Sequence, residues 1–326
     1  MQPGFLLYHS LNRFNNYFAA LAGMYKFIKS IFFGNYFIGC IAIALSVESC
    51  VQLQLPLNSF NYYIILFCAT VFYYTYAYLG PLGTGKTKNP RKAWYNNNHR
   101  FIIFSQCLLF AVTAILSCFF IYKNFGTIKS LSLIYWMAIA ITLIAGMLYY
   151  GLLPKSFYKI NLRNTGWLKA FIIGFVWACC ANLLSFIVVR IEHGKQNPES
   201  ILLIWLFIKN WMFCTVNAII FDIKDYADDS NKQLKTFVVR FGLKKTIFYI
   251  LLPLIVIGLI SLIAFTTSRH ASIITISLNL IPFILLLIIA WSMQKPHKIL
   301  YYLIVIDGLI FLKAICGIIG MQFIKH

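Results

Sequence analysis

Nine long apolar runs divide this sequence, and they limit the folds that the chain can adopt. A helix needs about twenty mostly apolar residues to cross the hydrocarbon core of a bilayer. Of the 326 residues, 61% are hydrophobic and only 11% are charged, which is too few charges to cover a water-soluble surface. We therefore predict an all-α, multi-pass integral membrane protein, with nine transmembrane helices in one bundle around a central cavity. The predicted spans are approximately 33–53, 58–79, 100–122, 130–151, 167–190, 201–221, 245–266, 272–293 and 299–322.

The segments outside these runs predict no second domain. The loops between the runs contain most of the prolines, and none of them is long enough to fold on its own. In residues 5–22, apolar side chains recur at helical spacing with polar side chains between them, which predicts an amphipathic helix on the membrane surface. The sequence thus predicts a single domain over residues 1–326, with the surface helix at 5–22 and the spans at about 33–322.

The basic residues predict the orientation in the membrane. A formal net charge of +20 would suggest nucleic acid in a soluble protein, but here the charges lie between apolar spans and we expect no nucleic-acid partner. Twenty of the 28 Lys and Arg residues fall in the N-terminal segment and in the loops after spans two, four, six and eight. By the positive-inside rule, these segments are cytoplasmic. We expect the protein to lie in the bacterial cell (inner) membrane, in contact with its lipids.

The acidic residues are scarce, and half of them form one cluster. Four of the eight Asp and Glu residues lie between Asp222 and Asp229, where the sixth predicted span ends. On a helix, Asp222, Asp225 and Asp229 fall within an arc of about 60°, whereas Asp228 points away. Carboxylates this close repel one another unless cations neutralise them, and Mg²⁺ prefers carboxylates, waters and substrate phosphates. The cluster predicts a magnesium site for a diphosphate. The alternative is a solvated acidic helix end, paired with neighbouring lysines.

The segment that contains this cluster resembles the motif of a known family. Asp222-Ile-Lys-Asp225-Tyr-Ala-Asp-Asp229 is followed by Thr236 and then by a short apolar run that ends in Gly242. This pattern resembles the second aspartate-rich motif of the UbiA-type intramembrane prenyltransferases. The nine predicted spans and the cytoplasmic N-terminus are also similar to that family, so the resemblance extends over most of the chain.

A second stretch is similar to the family's loop after span four. It runs from Leu148 to Lys155 and continues in Arg163-Asn164 and Gly166-Trp-Leu-Lys169. The loop after span two, by contrast, departs from the family. The first aspartate-rich motif should lie near residues 70–90, yet the chain has no Asp or Glu between Glu48 and Glu192.

The resemblance implies transfer of a prenyl group from a polyprenyl diphosphate to an apolar or aromatic acceptor inside the membrane, with Mg²⁺ as the cofactor. It implies that Asp225 and Asp229 are catalytic and bind the metal, with Asp222 as a supporting ligand. Four basic residues are candidates for contacts with the diphosphate: Lys155, Arg163, Arg91 and Lys92.

Three hypotheses about function follow from these residues. The first is a divergent prenyltransferase in which basic residues of the loop after span two, such as Lys86, Arg91 and Lys92, replace the charge of a second metal. The second is a catalytically impaired family member that binds an isoprenoid lipid. The third is a multi-pass transporter, whose pathway would be lined by the polar residues inside the spans. Those residues are Lys209, Asn210, Asn217, Asp307 and Lys313.

Overall fold

The computed structural model describes residues 23–76, 78, 89–150, 166–194, 196, 198–226, 234–295 and 297–323. Within these ranges the protein is predominantly helical and contains no strand. The helices are α1 Gly23–Phe33, α2 Tyr36–Gln52, α3 Phe60–Tyr76, α4 Pro90–Asn97, α5 His99–Lys123, α6 Phe125–Lys129, α7 Leu133–Tyr150, α8 Leu168–His193, α9 Ser200–Lys224, α10 Phe237–Phe241, α11 Leu243–Ser268, α12 Ile273–Ser292 and α13 Ile299–Met321.

The helices confirm the all-α, multi-pass architecture but not the number of spans. Each predicted apolar run coincides with a described helix, and six helices are long and apolar enough to cross a membrane: α5, α8, α9, α11, α12 and α13. A seventh span results if α1 and α2, which meet at an angle of 58°, cross together. Helices α3 and α7 are shorter, and both end next to residues outside the described ranges. The count of nine is therefore not confirmed, and the amphipathic helix predicted at 5–22 also lies outside the described residues.

The bundle is held together by a continuous apolar core. Helix α8 packs against α9, and α13 packs against both α2 and α12. The largest buried side chains of this core include Phe213, Leu251, Phe283 and Tyr302. Many apolar side chains on the outer faces of α5 and α7 are exposed, which suits helices that are solvated by lipid.

Among the described residues, short π-helical segments occur in three helices, at Cys179–Leu184 in α8, Ile247–Leu251 in α11 and Tyr302–Ile306 in α13. A π-turn adds a residue to the helical repeat and so changes which side chains face the interior, and such turns are frequent at functional sites. The first segment contains Asn182, and the third comes directly before Asp307. Both polar side chains are buried.

A buried ionic network joins α2, α9 and α13. The carboxylate of Glu48 accepts hydrogen bonds from Lys313 Nζ at 2.6 Å, from Lys209 Nζ at 3.5 Å and from Gln52 Nε2 at 3.1 Å. Lys209 also donates to Gln52 Oε1 at 3.1 Å, and Lys313 donates to the side-chain oxygen of Asn210. We call Glu48, Gln52, Lys209, Asn210 and Lys313 the Glu48 network.

The Glu48 network continues into α8 and depends on close approach of the helices. Asn210 Nδ2 donates to Asn182 Oδ1 at 3.2 Å, and this oxygen also accepts from Ser49 Oγ at 3.1 Å. A Cβ at Gly317 would lie 2.5 Å from Glu48 Oε1, so only glycine leaves room for the carboxylate. The Glu48 network thus connects four helices. It includes three candidates of the transporter hypothesis, Lys209, Asn210 and Lys313, and this supports a structural role for them.

Candidate functional site

Two acidic residues and two lysines meet where α9 ends. Asp222 is buried, with 1% of its surface exposed, and its Oδ1 lies 2.7 Å from Lys169 Nζ at the start of α8. Asp225 is the residue that follows the last turn of α9; its side chain is 37% exposed and its Oδ1 lies 3.1 Å from Lys224 Nζ. The end of the helix therefore carries one enclosed carboxylate and one accessible carboxylate, each beside an ammonium group.

The loop before α8 brings Lys169 to this position. Gly166 has a φ of +68°, and a Cβ there would collide with the backbone carbonyl of Lys235. The rings of Trp167 and Phe171 both lie 6.2 Å from the ring of Phe237 in α10. Because the chain before α8 lies directly against the segment that precedes α10, the two stretches that resemble the family motifs are in contact.

Thr236 and Gly242 delimit the short helix that follows the acidic motif. The hydroxyl of Thr236 accepts from the backbone N–H of Val239 and caps α10 at its start, while Gly242 ends α10 with a φ of +80°. A threonine before an apolar run and a glycine after it are the usual start and stop signals of a helix. These two motif residues therefore have a local structural function that the sequence alone explains.

The contact at Gly166 leads to a testable expectation with a matched control. Gly194 has a similar φ of +82°, but a Cβ there would meet nothing within 4 Å. Alanine at either position has a strained backbone, which costs about 1–2 kcal/mol, but only Gly166→Ala must also displace the Lys235 backbone. We expect Gly166→Ala to lower the melting temperature more than Gly194→Ala in detergent. Equal shifts would show that the contact with Lys235 contributes nothing.

Arg91 lies in a buried cluster of hydrogen bonds near the bend between α1 and α2. Its guanidinium donates to the carbonyl of Phe33 at 3.2 and 2.9 Å, to the side-chain oxygen of Asn35, and to the hydroxyl of Tyr78 at 2.9 Å. It also stacks on the Tyr78 ring, 4.3 Å from the ring centre. Lys92, the next residue, is exposed. The role of both residues in binding a diphosphate stays a prediction.

Two further residues belong to this end of the bundle, although sequence reasoning gives them no part in the site. Tyr302 in α13 has its ring 6.1 Å from the ring of Phe221, and the charge of Asp225 acts on its hydroxyl. Asp307, one turn further along α13, is 6% exposed. The sequence suggests Asp307 as a transporter residue or as one member of a structural pair between helices, because no local pattern relates it to a motif about eighty positions earlier.

The described carboxylates are compatible with a magnesium ion but do not define a site for one. The part of the chain that the structure describes has no group of three or more His, Cys, Asp or Glu side chains arranged for a metal. Asp228 and Asp229 lie outside that part, as do Lys86, Lys155 and Arg163. Mg²⁺ is commonly held by one or two carboxylates together with waters and substrate phosphates. An accessible Asp225 with a second carboxylate four residues on fits this requirement, whereas Asp222 is already bound to Lys169.

An open cavity of about 430 Å³ lies at the junction of α4 and α5. Its walls are formed by six consecutive residues, from Asn96 to Phe101. It is a surface depression beside a polar turn, and it does not test the central cavity that the sequence predicts.

The fold and this site define a helical, multi-pass membrane protein with paired acidic and basic residues at one end of its bundle. Residues 102–299 match the model of the UbiA prenyltransferase family. Since this match covers more than half of the chain, the protein belongs to the UbiA prenyltransferase family, as its motif resemblance implied. Neither a curated protein nor a solved structure matches the chain significantly.

Proposed function

We propose that this protein is an intramembrane prenyltransferase that moves a prenyl group from a polyprenyl diphosphate to an apolar or aromatic acceptor. The observation that carries this proposal is the pairing of Asp222 with Lys169 and of Asp225 with Lys224 at the end of α9, in a chain that belongs to the UbiA family. Both pairs lie on the side that the positive-inside rule makes cytoplasmic. A diphosphate from the cytoplasmic face of a bacterial inner membrane would meet them there.

The acidic residues of the motif have different proposed roles, because Asp222 is buried and Asp225 is accessible. Lys169 fixes the buried Asp222 and thereby holds the start of α8 against the end of α9. Asp225 and Asp229 would hold Mg²⁺, and Lys155, Arg163, Arg91 and Lys92 remain the proposed diphosphate contacts. When bound, Mg²⁺ would neutralise the diphosphate oxygens and favour departure of the leaving group.

Two aromatic side chains lie at the same end of the bundle as these charged pairs. The rings of Phe221 and Tyr302 are next to Asp225, and ring faces stabilise a nearby positive charge. Departure of the diphosphate leaves positive charge on the allylic carbon, which the acceptor then attacks. These rings are therefore suited to shield that carbon from water while the acceptor approaches.

Release of diphosphate tests this function directly. Purified protein in lipid nanodiscs, supplied with a polyprenyl diphosphate and a phenolic acceptor, is expected to release diphosphate only when Mg²⁺ is present. Asp225→Asn removes a metal ligand worth several kcal/mol of transition-state stabilisation, so we expect a loss of about a hundredfold or more. Asp228→Asn is the matched control, because this acidic neighbour is not one of the three aspartates of the D-x-x-D-x-x-x-D pattern, and it should retain activity.

Each result has a defined meaning. If Asp225→Asn and Asp229→Asn both keep wild-type rates, the metal assignment is wrong. If the wild type binds a polyprenyl diphosphate yet produces no transfer with any donor, the protein is instead an isoprenoid-lipid-binding member of the family.

A further inference from the structure

Asp222 and Asp225 differ in how firmly a lysine neutralises each carboxylate. The Asp222 side chain is 2% exposed, and its Oδ1 accepts a hydrogen bond from Lys169 Nζ at 2.7 Å. The Asp225 side chain is 37% exposed, and its cation, Lys224, is the adjacent residue in the chain. An exposed pair opens at little cost, whereas a buried pair that loses one member leaves an uncompensated charge. Of the two carboxylates, Asp225 is therefore the one that can exchange its lysine for a metal ion.

Close packing of α8 against α9 holds Lys169 beside Asp222. A Cβ on Gly174 would lie 2.7 Å from the carbonyl oxygen of Trp211, so the backbones of the two helices are in direct contact there. The indole Nε1 of Trp211 also donates to the carbonyl of Phe171 at 2.9 Å. These contacts fix the first turns of α8 relative to α9, and they keep the ammonium group of Lys169 within reach of Asp222.

Both charges of this pair lie at helix ends that disfavour them. Lys169 is in the first turn of α8, where the helix dipole is positive, and Asp222 is in the last turn of α9, where it is negative. Each charge is unfavourable for its own helix, so the pair is not explained by helix stability and is explained by mutual neutralisation across the two helices. A metal ion, in contrast, is favoured at the end of α9, next to Asp225.

The basic residues that the sequence suggests as substitutes for a second metal are placed differently. Arg91 is bound within its own cluster at the bend between α1 and α2, and Lys92 is exposed. Lys86 lies outside the described residues. Among the described residues, the cation that another helix brings to the acidic motif is Lys169.

We infer that the ammonium group of Lys169 takes the place of a metal ion at Asp222, and that the site binds a single divalent cation, through Asp225 and Asp229. This inference rests on the proposed prenyl transfer, since it concerns the cation of that same site. The resemblance to the family implied that Asp222 supports the metal, whereas here Asp222 forms a neutral pair with Lys169. Lys169 is thus a positioning residue, because it leaves the net negative charge of the motif on the accessible carboxylates.

Binding of Mn²⁺, used in place of Mg²⁺, tests this inference without turnover. The full-length protein in nanodiscs of neutral lipid is titrated with Mn²⁺, and the electron paramagnetic resonance signal of the free ion gives the stoichiometry and the affinity. We expect one ion per chain in the wild type. Asp225→Asn should weaken binding about tenfold or more, because even residues that only support a metal ligand contribute about tenfold to affinity. Asp222→Asn should leave the affinity for Mn²⁺ unchanged.

Replacement of Lys169 distinguishes this role from a purely structural one. Lys169→Ala removes the ammonium group and leaves space beside Asp222, so we expect it to bind a second Mn²⁺. A residue that only held the helices together would lose Mn²⁺ affinity instead. Lys169→Arg keeps the charge and should bind one ion. Lys245→Ala is the matched control, since it removes the same charge from an exposed position on α11 and should also bind one ion.

A double variant keeps the inference testable if a single variant does not fold. Lys169→Met combined with Asp222→Asn removes both charges with little change in shape, and it should bind one Mn²⁺ with the affinity of the wild type. Weaker binding by this variant or by a folded Asp222→Asn overturns the inference. A folded Lys169→Ala that still binds one ion, or a wild type that binds two ions or none, overturns it as well.

The metal titration and the diphosphate assay separate this inference from the proposed function. If Mn²⁺ binds as expected but the wild type releases no diphosphate with any donor, the proposed function fails and the assignment of Lys169 stands. If the wild type releases diphosphate while Asp222→Asn loses Mn²⁺ affinity, the inference about Lys169 fails alone.

Discussion

Glu48→Leu is expected to lower the free energy of unfolding by about 3–5 kcal/mol, the usual cost of removing one partner of a buried ion pair. The carboxylate is fully buried and lies 2.6 Å from Lys313 Nζ and 3.5 Å from Lys209 Nζ. Without it, two ammonium groups would remain in an apolar interior, and among the described residues each would keep only an amide oxygen as acceptor. Thermal unfolding in a mild detergent, followed by circular dichroism, measures the effect.

Two controls show whether the loss comes from uncompensated charge. The triple variant Glu48→Leu, Lys209→Met, Lys313→Met removes all three charges together and should recover much of the stability, because apolar side chains often replace a buried ionic group without penalty. Glu199→Gln breaks an ion pair with Arg269 that is exposed at the surface, so it should change the melting temperature little. If Glu48→Leu melts like the wild type, the Glu48 network does not fasten the bundle.

The exposed ion pair of that control, Glu199 with Arg269, changes the pKa of its acidic member. Glu199 precedes α9 and Arg269 follows α11, and the guanidinium donates two hydrogen bonds to the carboxylate. These hydrogen bonds lower the pKa of the Glu199 carboxyl group below its usual value. Glu199 is solvated whether or not it is paired, which makes it a suitable comparison for the enclosed carboxylate of Glu48.

Arg91→Ala is expected to destabilise the protein by about 3 kcal/mol, because it removes several hydrogen bonds from a charged donor in a buried position. Arg91 is 5% exposed, and its guanidinium connects α4 to the bend between α1 and α2. At that bend Asn35 has a φ of +65°, a conformation that a non-glycine residue adopts only with support from its surroundings. Its side chain receives this support from Arg91, Thr75 and Tyr95.

Lys92→Ala is the matched control for Arg91→Ala, since the two residues are adjacent, equally charged and both candidates for the diphosphate. Because Lys92 is exposed, its replacement should leave the melting temperature unchanged. Hydrogen exchange at residues 30–36 should accelerate in Arg91→Ala and not in Lys92→Ala. Equal protection in both variants would contradict the structural role of Arg91, and a loss of diphosphate affinity in Lys92→Ala alone would assign the binding role to Lys92.

The sequence predicts the architecture well where the signal is local. Apolar runs of sufficient length coincide with described helices throughout the chain, because a helix in lipid must satisfy its own backbone hydrogen bonds and expose apolar side chains. The acidic motif, with the threonine and the glycine that cap α10, is equally visible, since capping depends on residues a few positions apart. These local signals are sufficient to indicate the UbiA family from the sequence alone.

The partners of the site residues are less accessible to sequence reasoning. Asp222 is expected from its motif to support a metal, but it is bound by Lys169, 53 residues earlier in the chain. The sequence alone relates Asp307 to a transporter pathway or to a structural pair between helices, and the π-turn before it has no sequence signal. A π-turn shifts the helical register by one residue and so alters which side of a span faces the site. The hydropathy of the sequence is the same with or without that shift, so it does not predict it.

The sequence by itself determined that this chain enters a membrane as a helical bundle and to which family it belongs, because hydrophobicity and motif spacing act over short stretches of chain. The tertiary structure decided which charges meet. Glu48 is bound to lysines 161 and 265 residues away, and Arg91 holds a bend 58 residues before it. Such pairs form because an apolar interior offers a buried charge few acceptors, so each charge takes the partner that helix packing brings within reach.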